Sequence, residues 1–169
     1  EAAGAFLDAA NGDLKGFDDA VYRKVGGASL QGVLEGIDAL FRAGVWLEIT
    51  TLLVPGMNDS EAELRALARW IRDLNQDIPW HSSRFHPDFK MTGALPTPVE
   101  SLRRAARIGR EQGRRFVYLG NVPLDEGENT FCPRCEKMVV SRRGFSLGDF
   151  RLREGRCGDC GAQVPGFWE

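Results

Sequence analysis

The stretch Val45-Trp46-Leu47-Glu48-Ile49-Thr50-Thr51-Leu52-Leu53-Val54-Pro55-Gly56-Met57-Asn58-Asp59-Ser60-Glu61-Ala62-Glu63 decides the fold. The run 45–54 is rich in β-branched and large apolar residues and reads as a strand. Pro55-Gly56 ends it, because proline lacks a ladder donor and glycine turns the chain. Ser60 with Glu63 then forms a capping box, which opens a helix to about Leu74. Leu64, Leu67, Ala68 and Ile71 recur on its inner face at helical spacing. A strand followed so closely by a helix is one βα unit.

The unit repeats on both sides. Upstream, Asp13–Phe17 reads as a brief strand, and Ser29–Ala43 as a helix with Val33, Leu34, Ile37, Leu40 and Phe41 on one face and Gly44 as its stop. Downstream, Trp80–His86 is the next strand. Thr97, Pro98 and Glu100 look like a second capping box, its helix stops near Gly113, and Phe116–Leu119 is a last strand. Alternation of this kind predicts an α/β fold with a parallel sheet, part of a barrel. Glu1–Ala10 reads as the tail of a helix already under way, and Glu1 is not a start methionine, so the chain is expected to be a fragment.

Strand parity separates two faces. Val45, Leu47, Ile49, Thr51 and Leu53 belong to the apolar face, under the helices. The expected opposite row is Asp13, Lys15, Glu48, Thr50, Ser82, Arg84 and His86. Such a row is too polar for an ordinary packed barrel. It suits either a polar ligand at the C-terminal ends of the strands, where Lys15, Arg84 and His86 sit, or an ion-pair network of Asp13 or Glu48 with Lys15 or Arg84.

A hydrophobic content of 43% is enough for a core, and the formal charge is −2. That balance gives no electrostatic case for general nucleic-acid binding. No apolar stretch approaches the roughly 20 residues of a membrane span, so a soluble cytoplasmic protein is expected. There is no GxGxxG, P-loop or nucleophile elbow.

All four cysteines lie in the tail, as Cys132-Pro-Arg-Cys135 and Cys157-Gly-Asp-Cys160. Two CxxC turns can present four thiolates to one tetrahedral ion, so a closed structural zinc site is expected; a single rubredoxin-like iron and a pair of disulfides are the alternatives. Gly161 suits a knuckle, whereas Glu136 in the matching position predicts a less regular turn. Pro123, Asp125, Gly127 and Asn129 mark a linker, giving a barrel part at 1–125 and a small β-hairpin module at 126–169.

Five segments stand in a particular order: Asp13-Leu14-Lys15-Gly16-Phe17, Leu53-Val54-Pro55-Gly56-Met57-Asn58-Asp59, Ser83-Arg84-Phe85-His86-Pro87, Tyr118-Leu119-Gly120-Asn121-Val122, and the CxxC pairs followed by Pro165-Gly166-Phe167-Trp168. Together they resemble the radical SAM enzymes related to pyruvate formate-lyase-activating enzyme, specifically the member of the AmmeMemoRadiSam system. The resemblance covers nearly the whole chain.

It implies the C-terminal half of a partial, TIM-like (β/α)6 barrel followed by a zinc ribbon. It further implies a [4Fe-4S] cluster that cleaves S-adenosylmethionine to a 5′-deoxyadenosyl radical, which takes a hydrogen atom from a protein or small-molecule substrate. Lys15 resembles the lysine that contacts the cofactor's carboxylate, and His86 the histidine near its ribose or adenine. Val54 and Pro55 would border the adenine, near Asn58 and Asp59. Asp13 and Arg84 complete the expected cofactor-binding set.

The CxxxCxxC cluster loop is absent, as is the glycine-rich segment that holds the methionyl amine. Both would lie upstream of Glu1, and the chain alone is expected to be inactive. The rival reading is a non-catalytic zinc-ribbon module that binds nucleic acid or protein. Arg142, Arg143, Arg151, Arg153 and Arg156 would form its basic strip, diluted by Glu136, Asp149, Glu154, Asp159 and Glu169.

Overall fold

The computed structural model describes residues 6–122 and 127–168. It divides into two compact units, Glu1–Val122 and Pro123–Glu169. The boundary expected at residue 125 lies outside the described residues.

The first unit is mixed α/β, with a parallel four-stranded sheet. Its elements are β1 (Ala9–Asp13), α1 (Asp19–Gly26), α2 (Leu30–Arg42), β2 (Trp46–Leu53), α3 (Glu61–Leu74), β3 (Trp80–Arg84), α4 (Val99–Glu111) and β4 (Val117–Gly120). The strands lie in the order β1-β2-β3-β4, all parallel. Ser29 and Ser60 cap α2 and α3, their hydroxyls accepting from the N–H groups of Gly32 and Glu63. Leu64, Leu67, Ala68 and Ile71 are the buried face of α3, as the spacing predicts.

Four expectations need correction. The first strand lies upstream of its expected place and ends at Asp13, so residues 9 and 10 belong to a strand and not to a helix tail. Main-chain pairing with β2 overrides the weak strand preference of Ala-Ala-Asn-Gly-Asp. An additional helix, α1, follows, capped by Asp18. The Thr97 capping box does not form: α4 starts after Pro98 with no side-chain cap. The Thr97 hydroxyl instead donates to Leu53 O and accepts from Phe85 N–H.

The fourth correction concerns the faces of β3. Along β2, half-buried and buried residues alternate, with Leu47, Ile49, Thr51 and Leu53 buried. Register pairs Ile49 with Trp80 and Thr51 with Ser82, and both β3 residues are fully buried. A Cβ added at Gly109 of α4 would lie 3.0 Å from Trp80 Cζ3, so α4 packs against this face. Ser82 and, by register, Arg84 therefore belong to the helix-covered row. The opposite row carries Asp13, Glu48, Thr50, His81, Ser83 and Tyr118. Trp80 fixes this parity, because its large apolar side chain has to be buried and Ser82 lies two residues on.

The second unit is built from β5 (Thr130–Phe131), β6 (Met138–Arg143), β7 (Ser146–Phe150), β8 (Leu152–Arg153) and β9 (Arg156–Cys157). β5-β6-β7 form an antiparallel sheet and β8-β9 a two-stranded ribbon. Val139, Val140, Leu152 and Val164 are its buried apolar side chains. That is a small core.

Candidate functional sites

The cysteines form one group. The four Sγ atoms lie within 4.8 Å of one another. Cys132 and Cys160 are 3.6 Å apart and Cys135 and Cys157 3.7 Å. A tetrahedral ion with metal–sulfur bonds of about 2.3 Å sets its sulfurs about 3.8 Å apart, so this group fits such an ion. Disulfide sulfurs would lie about 2.05 Å apart; all four thiols are free.

The two turns match. Cys132 N–H donates to Lys137 O and Glu136 N–H to Cys132 O, while Cys157 N–H donates to Ala162 O and Gly161 N–H to Cys157 O. Glu136 takes a left-handed φ of 59° and Gly161 one of 70°, so the first turn is as regular as the second, against expectation. A Lys137–Asp159 ion pair of 2.6 Å joins the two turns.

Two of the thiols are shifted in opposite directions. Cys157 is lowered to about 7, first by the Cys160 N–H and then, against burial, by that of Asp159. Cys135 is pushed up to about 12: the Lys137 N–H lowers it, but burial and the other three thiols outweigh that. Four thiols this close could hold a cation, which would favour their deprotonated forms.

The second site lies at the C-terminal ends of the strands of the first unit. Asn58, only 4% exposed, ties the loops there. Its Oδ1 accepts from Val54 N–H at 2.7 Å, and its Nδ2 donates to Lys15 O at 2.6 Å and Leu52 O at 2.9 Å. The Glu63 carboxylate does not return to Ser60 as a capping box would require. It accepts from Phe17 N–H at 2.7 Å, and Gly16 leaves it room, since a Cβ there would be 2.9 Å from Glu63 Oε1. Burial raises the Glu63 carboxyl against that bond, with Asp18 and Asp59 adding to the shift.

Of the expected residues, Lys15 and Asp13 meet in an exposed ion pair of 3.0 Å. Val54 and Pro55 follow β2 directly. Arg84 and His86 both line a cleft of about 730 Å³ beyond the ends of β2, β3 and β4, together with Leu52 and Asn121. Asn121 Nδ2 donates to Arg84 O at 3.2 Å. Arg84 thus reaches the strand ends although its row is the helix-covered one.

Sequence reasoning missed His81. Its Nε2 lies 2.8 Å from Glu48 Oε2, and its ring stacks on Tyr118 at 5.0 Å and 22°. The carboxylate only accepts when ionised, so the Nε2 proton points to Glu48. Placing Trp80 under the helices would have found it, because His81 then faces the polar row.

No family model matches the chain. It is 42% identical over 161 residues to an uncharacterized protein of Methanocaldococcus jannaschii, an alignment that covers 94% of this chain and 48% of the relative. It is 37% identical over 86 residues to the isethionate sulfite-lyase activating enzyme of Nitratidesulfovibrio vulgaris, covering 47% of this chain and 28% of that enzyme. The chain thus spans about half the length of the first relative and less of the second. Its fold is similar to a domain of the pyruvate-formate lyase-activating enzyme from Bacteroides vulgatus, with a TM-score of 0.58, 15% identity and coverage of 70% of this chain and 71% of that one. Sequence over part of the chain and fold over most of it resemble activating enzymes.

Proposed function

We propose that this chain is the C-terminal part of a radical SAM enzyme of the activating-enzyme type, in the AmmeMemoRadiSam system, carrying part of a cofactor pocket and a zinc ribbon. The observation that carries this reading is the sequential parallel sheet similar to a pyruvate-formate lyase-activating enzyme domain, joined to partial sequence similarity with a second activating enzyme. Sequential strand order with helices on one face is also how a segment of a (β/α) barrel is built.

Lys15, His86, Val54 and Pro55 face S-adenosylmethionine in this reading, with Asp13 orienting the Lys15 ammonium. An ammonium held 3.0 Å from one carboxylate, and half-exposed, is placed to take a second one. S-adenosylmethionine, when bound to a reduced cluster, supplies the 5′-deoxyadenosyl radical. The residues of this chain do not fit that cluster. All four cysteines form the closed group of the second unit, whereas a radical SAM cluster needs three and leaves one iron open. The ion of the second unit is Zn²⁺, in keeping with its four-thiolate tetrahedron.

The test uses the complete coding sequence, reconstituted anaerobically. Dithionite reduction with S-adenosylmethionine should release 5′-deoxyadenosine, and Lys15→Ala should weaken cofactor binding by about tenfold or more. A dissociation constant unchanged by Lys15→Ala removes the role given to Lys15. No cleavage by the reconstituted wild type removes the whole reading.

A second reading has one observation in its favour. Every residue of β7 is exposed, and Phe145, Leu147 and Phe150 stand in solvent. Such a strand suits a module that docks a protein partner.

A further inference from the structure

We propose that the cleft beyond the ends of β2–β4 is a receptor for a small organic acid, an apolar body bearing one carboxylate or sulfonate, with Arg84 as its anion partner. The cleft volume of about 730 Å³ falls within the range of small-molecule sites. Its apolar side comes from Leu52, Phe85, Phe89 and Met91, and its cations are Arg84 and Lys90.

Arg84 is pre-positioned. Its Nε donates to Thr97 O at 2.9 Å, and Thr97 is itself fully buried and bonded to Leu53 and Phe85. One edge of the guanidinium is therefore fixed. Among the described residues, Nη1 and Nη2 have no hydrogen bond or ion pair, and neither is a buried orphan. A planar fork held at its root, with both NH2 groups left to a ligand, suits a carboxylate or sulfonate.

The remaining charges agree with this choice. Asp88 is the one carboxylate among the described lining residues, and its Oδ1 is committed to Phe89 N–H at 2.6 Å. Lys90 stands over the Phe89 ring, its Nζ 5.3 Å from the centroid. Phe89 is 82% exposed and has a φ of 47°, a left-handed conformation that bulky residues avoid. Strain and apolar exposure thus coincide on the rim of the cleft, as they do where a ligand is to be covered.

This inference rests on the radical SAM reading in making the acid a substrate; His86 then marks the cofactor side of the same cleft, and Arg84 passes from the cofactor set, where the resemblance places it, to the substrate anion. Binding itself needs neither cofactor nor cluster. The test is a titration of the 169-residue chain with 1-naphthoate and with neutral 1-naphthamide. The ε-methyl NMR signal of Met91, assigned by its loss in Met91→Leu, reports occupancy.

Naphthoate should shift the Met91 methyl and bind about tenfold more tightly than the amide. Arg84→Gln should abolish that preference and Arg84→Lys should restore part of it. Lys90→Gln, a change at an exposed side chain that leaves the fold intact, should narrow it. Phe89→Ala should weaken both ligands alike. Equal affinity for the two ligands, a preference that survives Arg84→Gln in the folded protein, or a Met91 methyl that does not move would overturn the proposal. Failure of S-adenosylmethionine cleavage in the complete enzyme leaves it standing.

Discussion

Asn58 occupies a position that few side chains could fill. One buried amide satisfies three main-chain groups, at the end of β2 and in the loop after β1, as acceptor for Val54 and as donor to Lys15 and Leu52. Alanine would leave those groups without partners in a site from which water is largely excluded. Asn58→Ala should lower stability by about 2–4 kcal/mol in urea unfolding. Glu63 presents the opposite balance. A carboxyl raised by burial holds its proton more tightly in the native than in the unfolded chain. Its contribution therefore falls as pH rises from the ordinary value of 4.5 through the raised native value. Glu63→Gln keeps an acceptor for Phe17 N–H and removes the titration. The urea midpoint of the variant should gain on that of the wild type as pH rises from 4.5 through the raised native value.

At the scale of elements, the α4–β3 contact depends on a missing side chain. A Cβ at Gly109 would lie 3.0 Å from both Trp80 Cζ3 and Val117 Cγ2, and Trp80 is fully buried with its Nε1 donating to Thr51 Oγ1 at 3.0 Å. Alanine at 109 gains helix propensity but forces α4 off the sheet, and the second effect is the larger. Gly109→Ala should cost about 1–3 kcal/mol by the same unfolding measurement.

Elements with strong local signals were legible in the sequence. Ser29, Ser60 and the periodic leucines specify α2 and α3, and the β-branched run of β2 specifies its strand. β1 was not legible where it lies, since Ala9–Asp13 has small and polar residues that become a strand only by pairing with β2. The Thr97 hydroxyl could serve a helix or the strand ends, and only the tertiary fold decides between them. The same holds for the candidate sites. The cysteine group is local and its spacing announced it, whereas the Glu48–His81–Tyr118 row depends on register across three strands.

For the whole molecule, the two units differ in what holds them. The first buries a layer of large apolar side chains between sheet and helices. The second has few, and four thiols gathered within 4.8 Å. A strong chelator should therefore unfold the second unit first. Hydrogen exchange should then accelerate across residues 130–168 while amides of β1–β4 stay protected. Slow exchange in the tail of the metal-free chain would show that it folds without an ion.

The Thr97 clamp bears on the cutting and rejoining of the chain. Thr97 N–H donates to Phe85 O and its hydroxyl closes the return path, so the segment 86–96 leaves and re-enters the sheet at one point. A protease nick at its exposed crest, near Phe89 or Leu95, would release two pieces only on denaturation. New termini or a grafted peptide placed there would likewise leave the strand ends where they are.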